Sequence, residues 1–167
     1  MVRAAGVASG FLLPSLSTTS NPTQLDAGYK QNVIPDTASA VIDIRPLPGT
    51  EDEVLAQIRD IIGPDIDITI QVQDVGLENE FDAPIVDAMK RTLSAADPGA
   101  AMLPYLLSGG TDNKALSLLG ITGYGFAPLR LPADLDFPGM FHGVDERVPL
   151  DALDFGHRVL TDFLRTY

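Results

Sequence analysis

Ile66-Asp67-Ile68-Thr69-Ile70-Gln71-Val72-Gln73 is the stretch whose reading decides the fold. Ile66, Ile68, Ile70 and Val72 fall on one side of an extended chain. Asp67, Thr69, Gln71 and Gln73 fall on the other, which predicts a strand with one buried and one wet face. Just upstream, residues 50–62 predict a helix. Val54, Leu55, Ile58, Ile61 and Ile62 make one apolar stripe, Thr50 and Glu53 have capping-box spacing, and Gly63-Pro64 stops it. Further upstream, residues 37–45 predict a strand with Ala38, Ala40, Ile42 and Ile44 on one face. Ser39, Asp43 and Arg45 lie on its other face, with Val41 among them. A short strand over residues 24–29 precedes it, led in by a loop rich in Ser, Thr, Pro and Asn. Residues 24–73 thus read as β-β-α-β, three-quarters of a two-layer α+β sandwich.

Working outward, residues 74–81 are acidic, contain Gly76 and lack periodicity. A boundary there divides the chain into residues 1–76 and 77–167. Asp82 is placed to cap a helix over residues 82–96, with Pro84 in its first turn and Ile85, Val86, Met89 and Leu93 at helical spacing. Residues 101–107 read as a short buried strand that empties into Ser108-Gly109-Gly110-Thr111-Asp112. Asp112 then caps a short helix over residues 113–119, closed by Gly120. Residues 123–127 read as another strand and residues 128–140 as a Pro-rich loop. A last helix, residues 149–165, turns Leu150, Leu153, Val159, Leu160, Phe163 and Leu164 inward. Alternating strands and helices imply an α/β layer.

The composition excludes several classes of function. The 167 residues carry a net charge of -12, which repels phosphate backbones, so nucleic-acid binding is not expected. There is no cysteine, hence no disulfide and no thiolate metal site. No apolar run approaches the ~18 residues of a membrane span. Residues 1–13 imitate a signal peptide, with Arg3 ahead of apolar residues, but Gly6, Ser9, Gly10 and Pro14 dilute the hydrophobic region. Residues 2–10 read instead as the end of a helix, and the expected location is cytoplasmic.

Few segments carry chemistry. A strand that ends in Gly-Gly-Thr-Asp and turns into a helix suits an anion, because glycine lets amides approach a ligand and a helix start is partly positive. The same letters also fit a tight turn that uses glycine for positive φ. His142, in Phe141-His142-Gly143-Val144-Asp145-Glu146-Arg147, is a candidate metal ligand. Asp145 and Glu146 are either acceptors that orient its ring or surface charges ahead of a helix. His157, beside Arg158 in the last helix, reads as solvent-facing. From periodicity alone Arg45 is a solvated strand residue, and Asn32 is a turn residue before Val33-Ile34-Pro35.

Taken in order, four segments resemble the zinc-dependent aminoacylase and exopeptidase family of acetylornithine deacetylase, succinyl-diaminopimelate desuccinylase and glutamate carboxypeptidases. Gly28 to Pro35 is similar to the Asn-Val-Ile-Pro turn of that family's lid, or dimerisation, domain. Asp43-Ile44-Arg45 with Pro48-Gly49 is similar to the strand that follows. Ser108 to Asp112 resembles a loop of the catalytic domain, and Phe141 to Arg147 its C-terminal His-Gly-x-Asp-Glu segment. The resemblance implies an α+β lid fragment, an incomplete ferredoxin-like β-β-α-β. An α/β C-terminal part of a zinc exopeptidase-type catalytic domain would follow it. It also implies metal-assisted amide hydrolysis of a peptide or N-acyl amino acid. His142 would be a zinc ligand and Glu146 a residue behind the ligands. Asn32, Arg45, Gly109, Gly110 and Thr111 would hold the substrate carboxylate.

The same resemblance implies what is missing. Family members carry a His-x-Asp motif, a bridging aspartate and a Glu-Glu pair in an N-terminal half, and this chain has none of them. A zinc site takes three or four protein ligands, so the chain alone is expected to be inactive. Zinc would be held only in a site completed by an N-terminal catalytic half, the implied partner, with a homodimer through the lid. The alternative is a non-catalytic truncated remnant or interaction module; the reading frame upstream of Met1 would separate the two. A phosphate-binding domain centred on Gly109-Gly110 is a weaker reading, since the P-loop lysine is absent.

Overall fold

The computed structural model describes residues 12–167. The helix end expected over residues 2–10 lies outside them. The chain divides into two compact units, one of Pro14–Gly76 and one built on Leu77–Tyr167. Among the described residues there are two strands and four α-helices, a small α+β arrangement. No helix is long and apolar enough to cross a membrane among those residues.

In the Pro14–Gly76 unit, β1 (Thr19–Ala27) pairs antiparallel with β2 (Ala38–Arg45). The ladder runs from Thr19 opposite Arg45 to Ala27 opposite Ala38. β1 starts five residues before the expected strand, in a stretch whose polar composition reads as loop. Pairing with β2 overrides that local preference. Pro22, which has no amide to donate, sits at a register shift between Pro22 and Gln24.

After β2 the chain makes a four-residue turn. Thr50 N–H donates to Leu47 O at 3.1 Å, with Gly49 at φ 80 in the third position. Helix α1 (Glu51–Ile62) follows and ends at Gly63, φ 79, whose amide donates to Arg59 O. The expected capping box does not form. The Thr50 hydroxyl donates back to Leu47 O at 2.8 Å, and Glu53 accepts from Gln57 one turn on. Thr50 has φ -109 and ψ 8 instead of the extended backbone of an N-cap, and its side chain accepts no helix amide.

Residues 66–72 do not form the expected strand. A strand is stable only when its amides and carbonyls find a neighbouring ladder. This segment pairs with neither β1 nor β2. Ile66, Ile68, Ile70 and Val72 are consequently exposed, Val72 by 80%. The unit is therefore β-β-α, and the ferredoxin-like fourth part is absent from it. Its end is tied down by Gly76, whose amide donates to Glu51 Oε1 at 2.8 Å.

The Leu77–Tyr167 unit is built differently. Helix α2 (Pro84–Ala96) packs on α4 (Leu150–Thr166), with the short α3 (Asn113–Ser117) and a 3-10 turn (Pro138–Met140) between them in sequence. Pro84 is the first residue of α2 and Ala83 its cap, so Asp82 does not cap the helix. Proline fixes the start because its missing amide costs nothing there. Residues 101–107 and 123–127, expected as strands, are irregular. With no paired edge beside them, Leu103, Tyr105 and Leu107 stay exposed, and only part of the segments' apolar character goes into packing. Met102, Tyr124 and Phe126 lie against Ala88, Met89 and Phe163, and the Phe126 and Phe163 rings meet edge-on at 5.6 Å.

All seven buried hydrophobic side chains among the described residues fall in this unit: Val86, Ala88, Met89, Ala152, Phe155, Val159 and Phe163. The inward face of α4 is thus Ala152, Phe155, Gly156, Val159 and Phe163. Leu150, Leu153, Leu160 and Leu164, expected inside with Val159 and Phe163, lie on its exposed side. Gly156 explains the rotation. A side chain there would come within 3.0 Å of Leu129 and 3.2 Å of the Pro128 carbonyl, so its absence lets residues 128–129 lie against α4.

Candidate functional site

Arg45 ends β2, and its guanidinium is already engaged. Nε and Nη2 donate to Asp43 Oδ2 at 3.0 and 2.8 Å, the two residues sharing one strand face. Asn32 lies in the loop joining β1 to β2, beyond the Ala27–Ala38 end of the ladder, whereas Arg45 lies at the Thr19 end. Seven residue steps along an antiparallel strand rise about 24 Å. The hairpin therefore does not bring Asn32 and Arg45 together. Asn32 instead shares an open surface depression with Gly28, Tyr29 and Pro35. Gly28, φ 76, starts this loop and sits against the Pro35 ring, 3.7 Å from where its side chain would begin.

Gly109 and Gly110 lie exposed in the segment that precedes α3. Neither has a positive φ, so the turn reading of these glycines does not account for them. Crowding does not either: a side chain at Gly110 would meet nothing within 4 Å, and one at Gly109 only Leu107, at 3.9 Å. Thr111 O accepts from Lys114 N–H at 3.1 Å, and Asp112 makes no side-chain cap. With five residues, α3 is too short to develop much of a macrodipole. The anion-binding helix start expected from the sequence is therefore not available. What remains at Gly109 and Gly110 is backbone open to close approach.

His142 occupies an unusual turn. Phe141 has φ -59 and ψ 128, His142 has φ 59, and Gly143 N–H donates to Met140 O at 2.9 Å. These values make Met140 to Gly143 a type II turn with histidine in the third place, where glycine normally supplies the positive φ. His142 is the one non-glycine residue with positive φ among the described residues. For an L-residue that conformation costs roughly 1 kcal/mol. Two features hold it. The His142 amide donates to Glu146 Oε2 at 3.1 Å, a charge-assisted bond. Glycine at 143 spares the turn a side chain that would crowd Met140 O at 3.0 Å. Glu146 therefore grips the backbone of His142. The sequence spacing suggested a contact with its ring, and gave no sign that the amide would be the donor. Arg147 turns back to Asp145 O at 2.9 Å. His157, on α4, is exposed as expected.

These residues do not amount to a metal site. Among the described residues, no three His, Asp or Glu side chains come together in a way that would hold an ion. One imidazole flanked by exposed carboxylates falls short of the three or four ligands that zinc takes.

Residues 12–67 match the peptidase dimerisation domain family. The chain is also 30% identical over 149 residues to the N-fatty-acyl-amino acid synthase/hydrolase of Xenopus tropicalis. To the protein of the same name in Bos taurus it is 28% identical over 159 residues. The alignments cover 82% and 89% of this chain but only 27% and 30% of those proteins. The chain thus spans less than a third of the curated relatives it matches. No solved structure matches it. The hairpin and helix of the first unit, the four ordered motifs and these alignments agree. The chain carries a peptidase dimerisation domain, consistent with the C-terminal portion of the family of acetylornithine deacetylase, succinyl-diaminopimelate desuccinylase and related carboxypeptidases.

Proposed function

We propose that this chain supplies the dimerisation domain and part of the catalytic domain of a metal-dependent amidohydrolase acting on N-acyl amino acids or peptides. The observation that carries the reading is the alignment with the N-fatty-acyl-amino acid synthase/hydrolases. It runs through both units rather than the dimerisation domain alone, covering 82% of the chain in the Xenopus tropicalis case. In this reading His142 is one ligand of a zinc ion whose other ligands come from an N-terminal catalytic half, whether on another chain or in the rest of a longer gene. The chain by itself does not hydrolyse. Its single candidate imidazole in the 141–147 segment supports that view.

Gly109 and Gly110 leave backbone open where a substrate carboxylate would lie, with the Thr111 hydroxyl beside them. Neither turn geometry nor packing calls for glycine at those places. Arg45 and Asn32 serve a carboxylate separately, or from two copies of the lid in a homodimer, since one hairpin holds them at opposite ends. An arriving carboxylate at Arg45 would take the place of Asp43 in its guanidinium fork. A cytoplasmic location belongs to the same proposal.

Metal stoichiometry tests the proposal, on the purified chain alone and then mixed with the N-terminal half of a homologue. We expect no tightly bound zinc alone, and zinc with hydrolysis of an N-acyl amino acid after mixing. Close to one zinc on the chain alone would contradict the incomplete site. No metal and no hydrolysis in either state would favour a non-catalytic remnant or interaction module.

A further inference from the structure

We propose that Glu146 is a positioning residue for His142. Its carboxylate holds the His142 backbone in the left-handed region and thereby fixes where the imidazole is presented. The functional meaning of this rests on His142 being a site residue, as proposed above; the structural claim does not.

The turn itself motivates the inference. This chain makes the same kind of turn elsewhere with glycine in the demanding place, at Leu47 to Thr50, where Gly49 has φ 80 and Thr50 N–H closes on Leu47 O. At Met140 to Gly143 it uses histidine instead, although glycine stands next door at Gly143. A residue kept in a costly backbone conformation persists only when its surroundings impose it, and such residues concentrate at functional sites. The imposing group here is four residues on. Glu146 Oε2 accepts the His142 amide at 3.1 Å, a bond made while His142 holds φ 59. A histidine that merely decorated the surface would not need a carboxylate to hold its backbone.

Amide hydrogen exchange by NMR on the full chain tests this. In E146A the His142 amide is expected to exchange about tenfold faster, and the Gly143 amide, which closes the turn, also loses protection. In E146Q both stay within about threefold of the parent, because the side-chain carbonyl of glutamine accepts the same bond. In H142G/E146A the Gly143 amide keeps its protection, because glycine adopts the turn unaided. The Val159 amide in α4 reports whether the unit stays folded. If E146A also loses Val159 protection, E146Q alone decides: parent-like exchange upholds the proposal and loss overturns it. Unchanged exchange at His142 and Gly143 in E146A would overturn it too. None of these readings involves zinc or hydrolysis, so they stand or fall separately from the proposed activity.

Discussion

The two units of this chain have opposite balances of recognition and core. The Pro14–Gly76 unit carries almost all of the match to the dimerisation family, yet none of its described residues is buried. The Leu77–Tyr167 unit lies beyond that match and holds all seven buried hydrophobic side chains. A two-stranded sheet with one helix cannot enclose a core, and such hairpins are marginal alone. Two helices with aromatic side chains between them can. The first unit reads as a surface awaiting contact, the second as a body that sustains its own packing.

The sharpest way to break this contrast is to remove a core side chain and a counterpart. Phe163 sits under Phe126, stacks on Tyr167 and packs on Met89. F163A should destabilise by about 3–5 kcal/mol, read by denaturant unfolding and by amide protection in α2 and α4. In the other unit Ile58 is half-buried on α1, and I58A should cost about 1 kcal/mol. Equal effects would mean that the first unit has a core after all.

The next largest effect should come from a backbone contact within the first unit. A side chain at Gly76 would lie 2.8 Å from both Pro48 Cα and Glu51 Oε1, and the Gly76 amide donates to that carboxylate. G76A should cost about 1–3 kcal/mol. Loss of the Gly76 amide's exchange protection would locate the damage. A neutral G76A would show that the end of this unit is not held by Glu51.

What the sequence made legible follows the same divide. Helices were readable in both units, because apolar spacing and the Gly63 and Gly120 stops are local signals. β2 was readable as well, and so was the shared face of Asp43 and Arg45 that lets them pair. The strands at residues 66–72, 101–107 and 123–127 were not decidable, because alternation states a willingness to pair and a partner edge must exist. At α4 the leucines suggested one inward face. The structure keeps Val159 and Phe163 inside but turns the leucines out, because Gly156 admits residues 128–129, a contact that no helical period encodes. At the candidate site, His142 was legible by residue type and neighbours. Its left-handed backbone was not, since glycine, the usual marker, stands one place later. Glu146 was legible as a neighbour of the ring, and its actual bond to the amide was not.

A smaller effect separates the two readings of the start of α1. If Thr50 and Glu53 formed a capping box, removing the glutamate would expose a helix start and cost towards 1 kcal/mol. Glu53 instead accepts from Gln57 on the exposed face. E53A should therefore cost about 0.3 kcal/mol, and E53Q, which keeps an acceptor for Gln57, should cost less still. A loss near 1 kcal/mol would restore the capping box.

A substitution expected to leave stability essentially unchanged says most about the first unit. Ile70 is 44% exposed in an irregular segment and packs into no core. I70D should leave unfolding free energy within about 0.5 kcal/mol of the parent, as exposed positions generally do. If residues 66–72 act as the surface through which lids associate, the same substitution puts a charge where a second copy would bury an apolar face. Sedimentation at matched concentrations would then show weaker self-association in I70D with unchanged monomer stability. A fall in monomer stability would mean that the alternation of residues 66–72 is used within the chain. Unchanged association would move the dimer contact elsewhere on the unit, to the open faces of β1 and β2, where Leu25 and Ile42 are also exposed.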